Sequence, residues 1–170
     1  MRNTIPRRPK GKFMSALNEF LETSYTAYHA VKNTAEYLIA NGFSLLSEGE
    51  DWNVEEGGKY FVTRGGSSLI AFSVGALDNG LAFRIAASHA DSPALKLKDN
   101  AVFATGAYEK LNAECYGGGI WYSFFDRPLK IAGRIVESEK GVLRSRVVES
   151  DYFVTIPSVA VHQNRGVNEG

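Results

Sequence analysis

Cysteine is nearly missing from this chain: Cys115 is the single one among 170 residues. It has no partner for an internal disulfide, which sets aside the stapled secreted scaffolds and suits a reducing compartment. Histidine is scarce too, at three, so any metal site has few imidazoles to draw on. Excess charge of either sign is absent. Nineteen Lys and Arg stand against nineteen Asp and Glu, and no strong field draws the chain to nucleic acid or an anionic membrane. No run reaches the ~18 consecutive apolar residues of a membrane span. The basic stretch Arg2 to Lys12 carries Arg7, Arg8, Lys10 and Lys12, interrupted by Pro6 and Pro9. No hydrophobic region follows it, so it reads as a solvated tail rather than a signal peptide or a nucleic-acid arm. The expectation is a soluble cytoplasmic protein with neither nucleic acid nor membrane as partner. Its length allows one domain with a core, or one and a half domains of something larger.

What is present reads as α/β in the first half. Leu17, Phe20 and Leu21 give one short amphipathic turn. Tyr28, Val31, Ala35, Leu38 and Ile39 then fall at helical spacing, with Ser24 or Thr26 as cap and Asn41-Gly42 as stop. After an acidic loop, Glu48 to Glu56, three strands are predicted: Lys59–Thr63, Ser68–Val74 and Leu81–Ser88. Arg64-Gly65-Gly66 and Asp78-Asn79-Gly80 supply the turns between them. In the third strand, Leu81, Phe83, Ile85 and Ala87 share one face, and small Ala82 and Ala86 lie on the other, as expected where helices pack on a central sheet.

From about Lys98 helical periodicity disappears, which sets a domain boundary there. Strands are predicted at Lys130–Glu137, Val142–Val148 and Tyr152–Ile156, with Glu139-Lys140-Gly141 as the turn between the first two. The run Gly117-Gly118-Gly119 lacks the Lys-Ser/Thr of a P-loop and the spacing of a dinucleotide fingerprint. It reads as a tight backbone passage beside aromatic packing.

The chemistry-bearing candidates are few. His29 lies on the helical pattern without a partner at ligand spacing and reads as structural. His89 stands where the third strand ends, with Asp91 two residues on, in Ala87-Ser88-His89-Ala90-Asp91-Ser92-Pro93. Metal-ligating histidines need a partner that fixes tautomer and orientation, although His-x-Asp also occurs by chance, and both readings stand on pattern alone. His162 follows the apolar run Ile156-Pro157-Ser158-Val159-Ala160-Val161 and by pattern is a strand-end residue without chemical role. Ser88, Ser92 and Cys115 lack any nucleophile-elbow or cysteine-protease context. Asp126-Arg127 reads as a charge pair orienting a loop, with a functional contact as the alternative.

Taken in order, several segments resemble the aspartyl aminopeptidase family of dizinc metallopeptidases. They are Ser24-Tyr25-Thr26-Ala27-Tyr28-His29-Ala30-Val31, Gly58-Lys59-Tyr60-Phe61-Val62-Thr63-Arg64 and Ser88-His89-Ala90-Asp91-Ser92-Pro93. Glu114-Cys115-Tyr116-Gly117-Gly118, Phe125-Asp126-Arg127-Pro128-Leu129, Ala132-Gly133-Arg134 and Ile156-Pro157-Ser158-Val159-Ala160-Val161-His162 continue the series. The resemblance covers about residues 15 to 170 and departs at Tyr25 and Ala27, where the family usually carries prolines. It reaches only the first two-fifths or so of a typical member, so the remaining acidic ligands, the glutamate base and the last histidine ligand are expected outside this sequence.

The resemblance implies a fold and a site. Residues 14–97 would be the N-terminal part of an αβα-sandwich zinc-peptidase domain. Residues 98–170 would open an inserted β-rich dimerisation domain, and 1–13 would be a flexible basic tail. His89 would be a ligand to one of two zinc ions and Asp91 its orienting carboxylate. His162 would reach the active site of a neighbouring subunit, which replaces its bland reading. The implied activity is removal of N-terminal residues from peptides, often acidic ones and in some relatives apolar ones, by a homo-oligomer formed through the segment after residue 98. The chain by itself is expected to be inactive, because one histidine cannot hold zinc tightly. The alternative is a non-catalytic, truncated homologue that keeps only an oligomerisation or binding surface.

Overall fold

The computed structural model describes residues 10–76, 80 and 82–168. They form a mixed α/β arrangement of two helices and three small sheets, in two compact units. The first unit takes residues 1–91 and 133–148, the second residues 92–132 and 149–170.

In the first unit, helix α1 (Lys10–Thr23) is longer than the single turn that Leu17, Phe20 and Leu21 predict. It ends where Thr23 Oγ1 folds back onto the Glu19 carbonyl at 2.8 Å. Helix α2 (Ala27–Ala40) starts and stops where the sequence predicts. Thr26 is its N-cap, extended in backbone, and its hydroxyl accepts from the His29 amide. At the other end the Asn41 and Gly42 amides donate to the Leu38 and Ile39 carbonyls, and Gly42 turns the chain at φ +80°.

Strand β1 (Ser44–Leu45) pairs in parallel with β2 (Lys59–Arg64), which pairs antiparallel with β3 (Ser68–Ser73). Gly65 and Gly66, at φ +60° and +70°, make the tight β2–β3 connection. As the central strand, β2 buries Phe61 and Val62 on its two faces, and with Val31 of α2 these are the buried apolar residues among those described. The loop before β2 is held on the sheet: Trp52 stacks on Phe72 with ring centroids 6.2 Å apart, and its indole N–H donates to the Ser47 carbonyl at 2.7 Å.

The third strand predicted in this half does not form. Leu77 to Asn79 and Leu81 lie outside the described residues, and 82–88 carry no regular structure. Phe83 and Ile85 are 78% and 86% exposed. The alternation is real, but a strand exists only through hydrogen bonds to a neighbour, and no described strand pairs with this one.

In the second unit, β4 (Ala94–Thr105) and β5 (Tyr108–Tyr116) form a hairpin that the sequence reading misses. Charged and small residues interrupt its apolar pattern. Its register slips between Leu97 and Val102, where Asn100 takes φ +53°, so the boundary expected near Lys98 falls inside β4. Gly117 and Gly119 pass against Pro93. A Cβ on Gly119 would come within 3.1 Å of Pro93 Cβ and of the Trp121 ring. That is the close backbone passage the glycine run suggests.

Strands β6 (Leu129–Glu139) and β7 (Val142–Val154) form a long hairpin turned at Lys140 and Gly141, both in the left-handed region at φ +52° and +82°. The two strands predicted at 142–148 and 152–156 are one continuous strand to Val154. Ser150 at its middle donates to the Tyr152 carbonyl and accepts the Ile131 amide, so its hydroxyl is absorbed within the hairpin. The outer part of the hairpin, 133–148, belongs to the first unit and its base to the second. The basic tail expected at 1–13 falls outside the described residues up to Pro9, and α1 takes in 10–13.

Candidate functional site

His89 and Asp91 are brought together by their spacing. His89 Nδ1 lies 2.7 Å from the Asp91 backbone carbonyl and 3.2 Å from its Oδ1. A carbonyl can only accept, so the proton of a neutral His89 sits on Nδ1 and the lone pair on Nε2. Both side chains are exposed. This geometry is what a metal-ligating imidazole requires: one nitrogen tied down and the other left as a donor atom. Among the described residues no group of three or more His, Cys, Asp and Glu could hold an ion. The residues in hand therefore fit one ligand position of a zinc site.

His162 belongs to the second unit and sits in a turn rather than at a strand end. Beyond β7 the chain forms a parallel bridge between Ile156 and Phe125, the turn that carries His162 and a short 3-10 helix, Arg165–Asn168. The turn is closed by the Gln163 and Asn164 amides, which donate to the Ala160 carbonyl at 2.8 and 3.2 Å. Pro157 explains the loss of strand, since it has no N–H to offer a ladder.

Asp126, read from sequence as half of a charge pair with Arg127, has a different partner. Its Oδ1 accepts the Ser158 amide at 2.9 Å, and its own amide donates to the Ile156 carbonyl at 2.9 Å. Hydrogen bonding from the Ser158 side chain, and then from its amide, holds the Asp126 carboxyl below the usual carboxylate range. Arg127 donates to the Ser123 carbonyl at 3.3 Å. The partners are 32 residues apart in sequence, so no local pattern announces them. Arg134 is a second residue whose role sequence reasoning misses. Its guanidinium donates to the Gly65 carbonyl at 2.7 Å and stacks over Tyr28 at 4.5 Å. One cation thereby ties β6 to the β2–β3 turn and to α2. His29 is structural as expected: it is buried, its Nδ1 is 2.9 Å from Thr26 Oγ1, and Tyr25 packs edge-on against its ring.

The chain is thus a mixed α/β segment that offers one oriented imidazole nitrogen. Residues 20–170 match the Aminopeptidase I zinc metalloprotease (M18) family, and the chain belongs to that family. It is 44% identical over 155 residues to aspartyl aminopeptidase 1 of Schizosaccharomyces pombe, covering 88% of this chain and 33% of that one. Among solved structures it resembles one in the cryo-EM structure of the Ape4 and Nbr1 complex. There the TM-score is 0.82 and the identity 43%, over 89% of this chain and 30% of that chain. The Saccharomyces cerevisiae mApe1 dodecamer matches with a TM-score of 0.71 and 31% identity, over 89% of this chain and 37% of that one. The chain thus spans about a third of the length of these relatives.

Proposed function

We propose that this chain contributes part of the active site of a cytoplasmic zinc aminopeptidase that removes N-terminal residues, acidic ones among them, from peptides. The observation that carries the reading is the hydrogen bond from His89 Nδ1 to Asp91, which leaves Nε2 as a metal donor. In this reading residues 14–97 are the N-terminal part of an αβα-sandwich catalytic domain and 98–170 the start of a β-rich dimerisation domain. His89 holds one of two zinc ions, and Asp91 keeps its ring in one tautomer and one orientation. Bound zinc supplies a water of lowered pKa and polarisation of the scissile carbonyl. His162 is presented to the active site of a second subunit, where its imidazole donates a hydrogen bond to the substrate carbonyl or the oxyanion that develops from it. A donor in that role is worth ~10²–10³-fold in turnover.

The test is complementation between subunits. Residues 20–170 would replace the matching segment of the Schizosaccharomyces pombe relative, and His89→Ala and His162→Ala versions would be mixed. Each is inactive or slow alone, and hybrid oligomers pair an intact zinc ligand with a neighbour's intact His162, so activity returns. Mixed oligomers that form without recovering activity refute the role across subunits. Normal turnover by the His89→Ala enzyme refutes the metal assignment.

A second reading, a non-catalytic homologue that only docks, is favoured by the exposed apolar side chains Val142, Leu143, Tyr152 and Phe153 of β7. The two separate on hydrolysis: in this second reading the grafted enzyme assembles but does not cleave an N-terminal acidic peptide.

A further inference from the structure

We propose that Asp126 is a positioning residue for the turn that carries His162; the inference rests on the role given to His162 above and extends it. Two contacts converge on the base of that turn. Asp126 Oδ1 accepts the Ser158 amide at 2.9 Å, and the Asp126 amide donates to the Ile156 carbonyl at 2.9 Å within the parallel bridge of Phe125 to Ile156. Four residues beyond Ser158 comes His162, in a turn closed on the Ala160 carbonyl. Between Val154 and that turn the chain is paired, among the described residues, through the bridge of Ile156 to Phe125, so the short tether to Phe125 and Asp126 sets where the turn begins.

The residue type at 126 follows from two demands. Its backbone is left-handed, at φ +55°, which among non-glycine residues Asn and Asp adopt most readily. Its side chain must also present an acceptor oxygen to an amide two strand-lengths away in sequence. Glycine meets only the first demand, alanine neither, and asparagine both. The Asp-Arg-Pro sequence reinforces the geometry, because Pro128 restricts the residue before it and Arg127 is held by the Ser123 carbonyl. Loss of the tether shifts the imidazole rather than removing it, and a misplacement of about 1 Å costs on the order of 10²-fold in rate.

The test has two arms. In the 170-residue chain, amide hydrogen exchange is measured at Ser158, Gln163 and Asn164. Asp126→Gly speeds exchange at Ser158 and through the turn, while Asp126→Asn leaves it close to the parent value. Unchanged exchange in Asp126→Gly overturns the proposal. In the grafted aminopeptidase, Asp126→Gly lowers kcat by ~10–100-fold with KM nearly unchanged, and Asp126→Asn restores most of it. In the His162→Ala background, Asp126→Gly has little further effect, because the group it positions is gone. Equal losses with and without His162 overturn the proposal and mark Asp126 as a general prop of the fold. If His162→Ala slows turnover and Asp126→Gly does not, the positioning role fails alone. If His162→Ala leaves turnover unchanged, the role of His162 fails and the positioning proposal falls with it.

Discussion

Asparagine at position 91 should weaken zinc binding by nearer 10-fold than 100-fold, and the reason lies in which oxygen holds His89. Loss of an orienting partner to a metal-bound histidine typically costs ~10–100-fold in affinity or activity. Here Nδ1 makes its shorter contact, 2.7 Å, with the backbone carbonyl of residue 91 and its longer one, 3.2 Å, with the carboxylate. Substituting the side chain leaves the first contact in place. The second is an exposed ion-pair-like contact, worth ~0–1 kcal/mol, or at most about fivefold, and asparagine keeps a neutral acceptor there. The tautomer therefore survives in Asp91→Asn, and the loss reflects only the missing negative charge behind the ring. Competition with a zinc chelator in the grafted enzyme measures the affinity, and ¹⁵N shifts of His89 in the 170-residue chain read the tautomer directly. A loss approaching 100-fold, or a neutral His89 in the parent chain with its proton on Nε2, would refute the reasoning. His89→Ala, by contrast, removes the proposed ligand and should abolish activity of the grafted enzyme.

Other outcomes follow from the same structure. Phe83, Ile85, Val142, Leu143, Tyr152 and Phe153 are exposed, and burying each is worth ~1.5–3 kcal/mol; the isolated chain should therefore self-associate at micromolar concentration in light scattering, less so with Phe83→Ser and Ile85→Ser, and a monomer that melts cooperatively would contradict this. Thr26→Ala removes the α2 cap and a partner of His29 and should cost ~1 kcal/mol, read as a lower urea midpoint, with Thr26→Ser largely neutral. Arg134→Lys keeps the charge but loses the planar stack on Tyr28, so hydrogen exchange in the 65–67 turn should rise. Hydrogen bonding and attraction to Arg146 lower the Glu137 pKa, as hydrogen bonds from the Ser158 side chain and amide lower that of Asp126. Both carboxylates thus bind protons less readily folded than unfolded. Their contribution is complete above the ordinary carboxylate range, near pH 4, and is lost as pH falls through the lowered values; carboxyl titration by NMR should show both midpoints below that range, and midpoints at or above it would reverse the sign.

Helix α2 was legible from end to end because its signals are local. Thr26 caps its own first turn, and Asn41-Gly42 supplies the conformations that stop it. The turns at Gly65-Gly66 and Lys140-Gly141 were legible for the same reason, since positive φ is a property of the residue placed there. The His89–Asp91 contact, two residues apart, also needs nothing beyond its own loop. Strand pairing was not legible to that degree. Residues 82–88 alternate like a strand yet lie unpaired among the described residues, β4 and β5 pair despite a broken apolar pattern, and β7 runs through a polar stretch that reads as a gap. A strand is defined by a neighbour, and the neighbour is chosen by the whole fold. The Asp126–Ser158 tether and the Arg134 clamp join residues 32 and 69 positions apart. The sequence by itself determined where the chain turns, where α2 begins and ends, and that a histidine would meet a carboxylate. Only the tertiary structure decided which strands pair, what Asp126 holds and where His162 stands, because each depends on contacts between segments that no local propensity encodes.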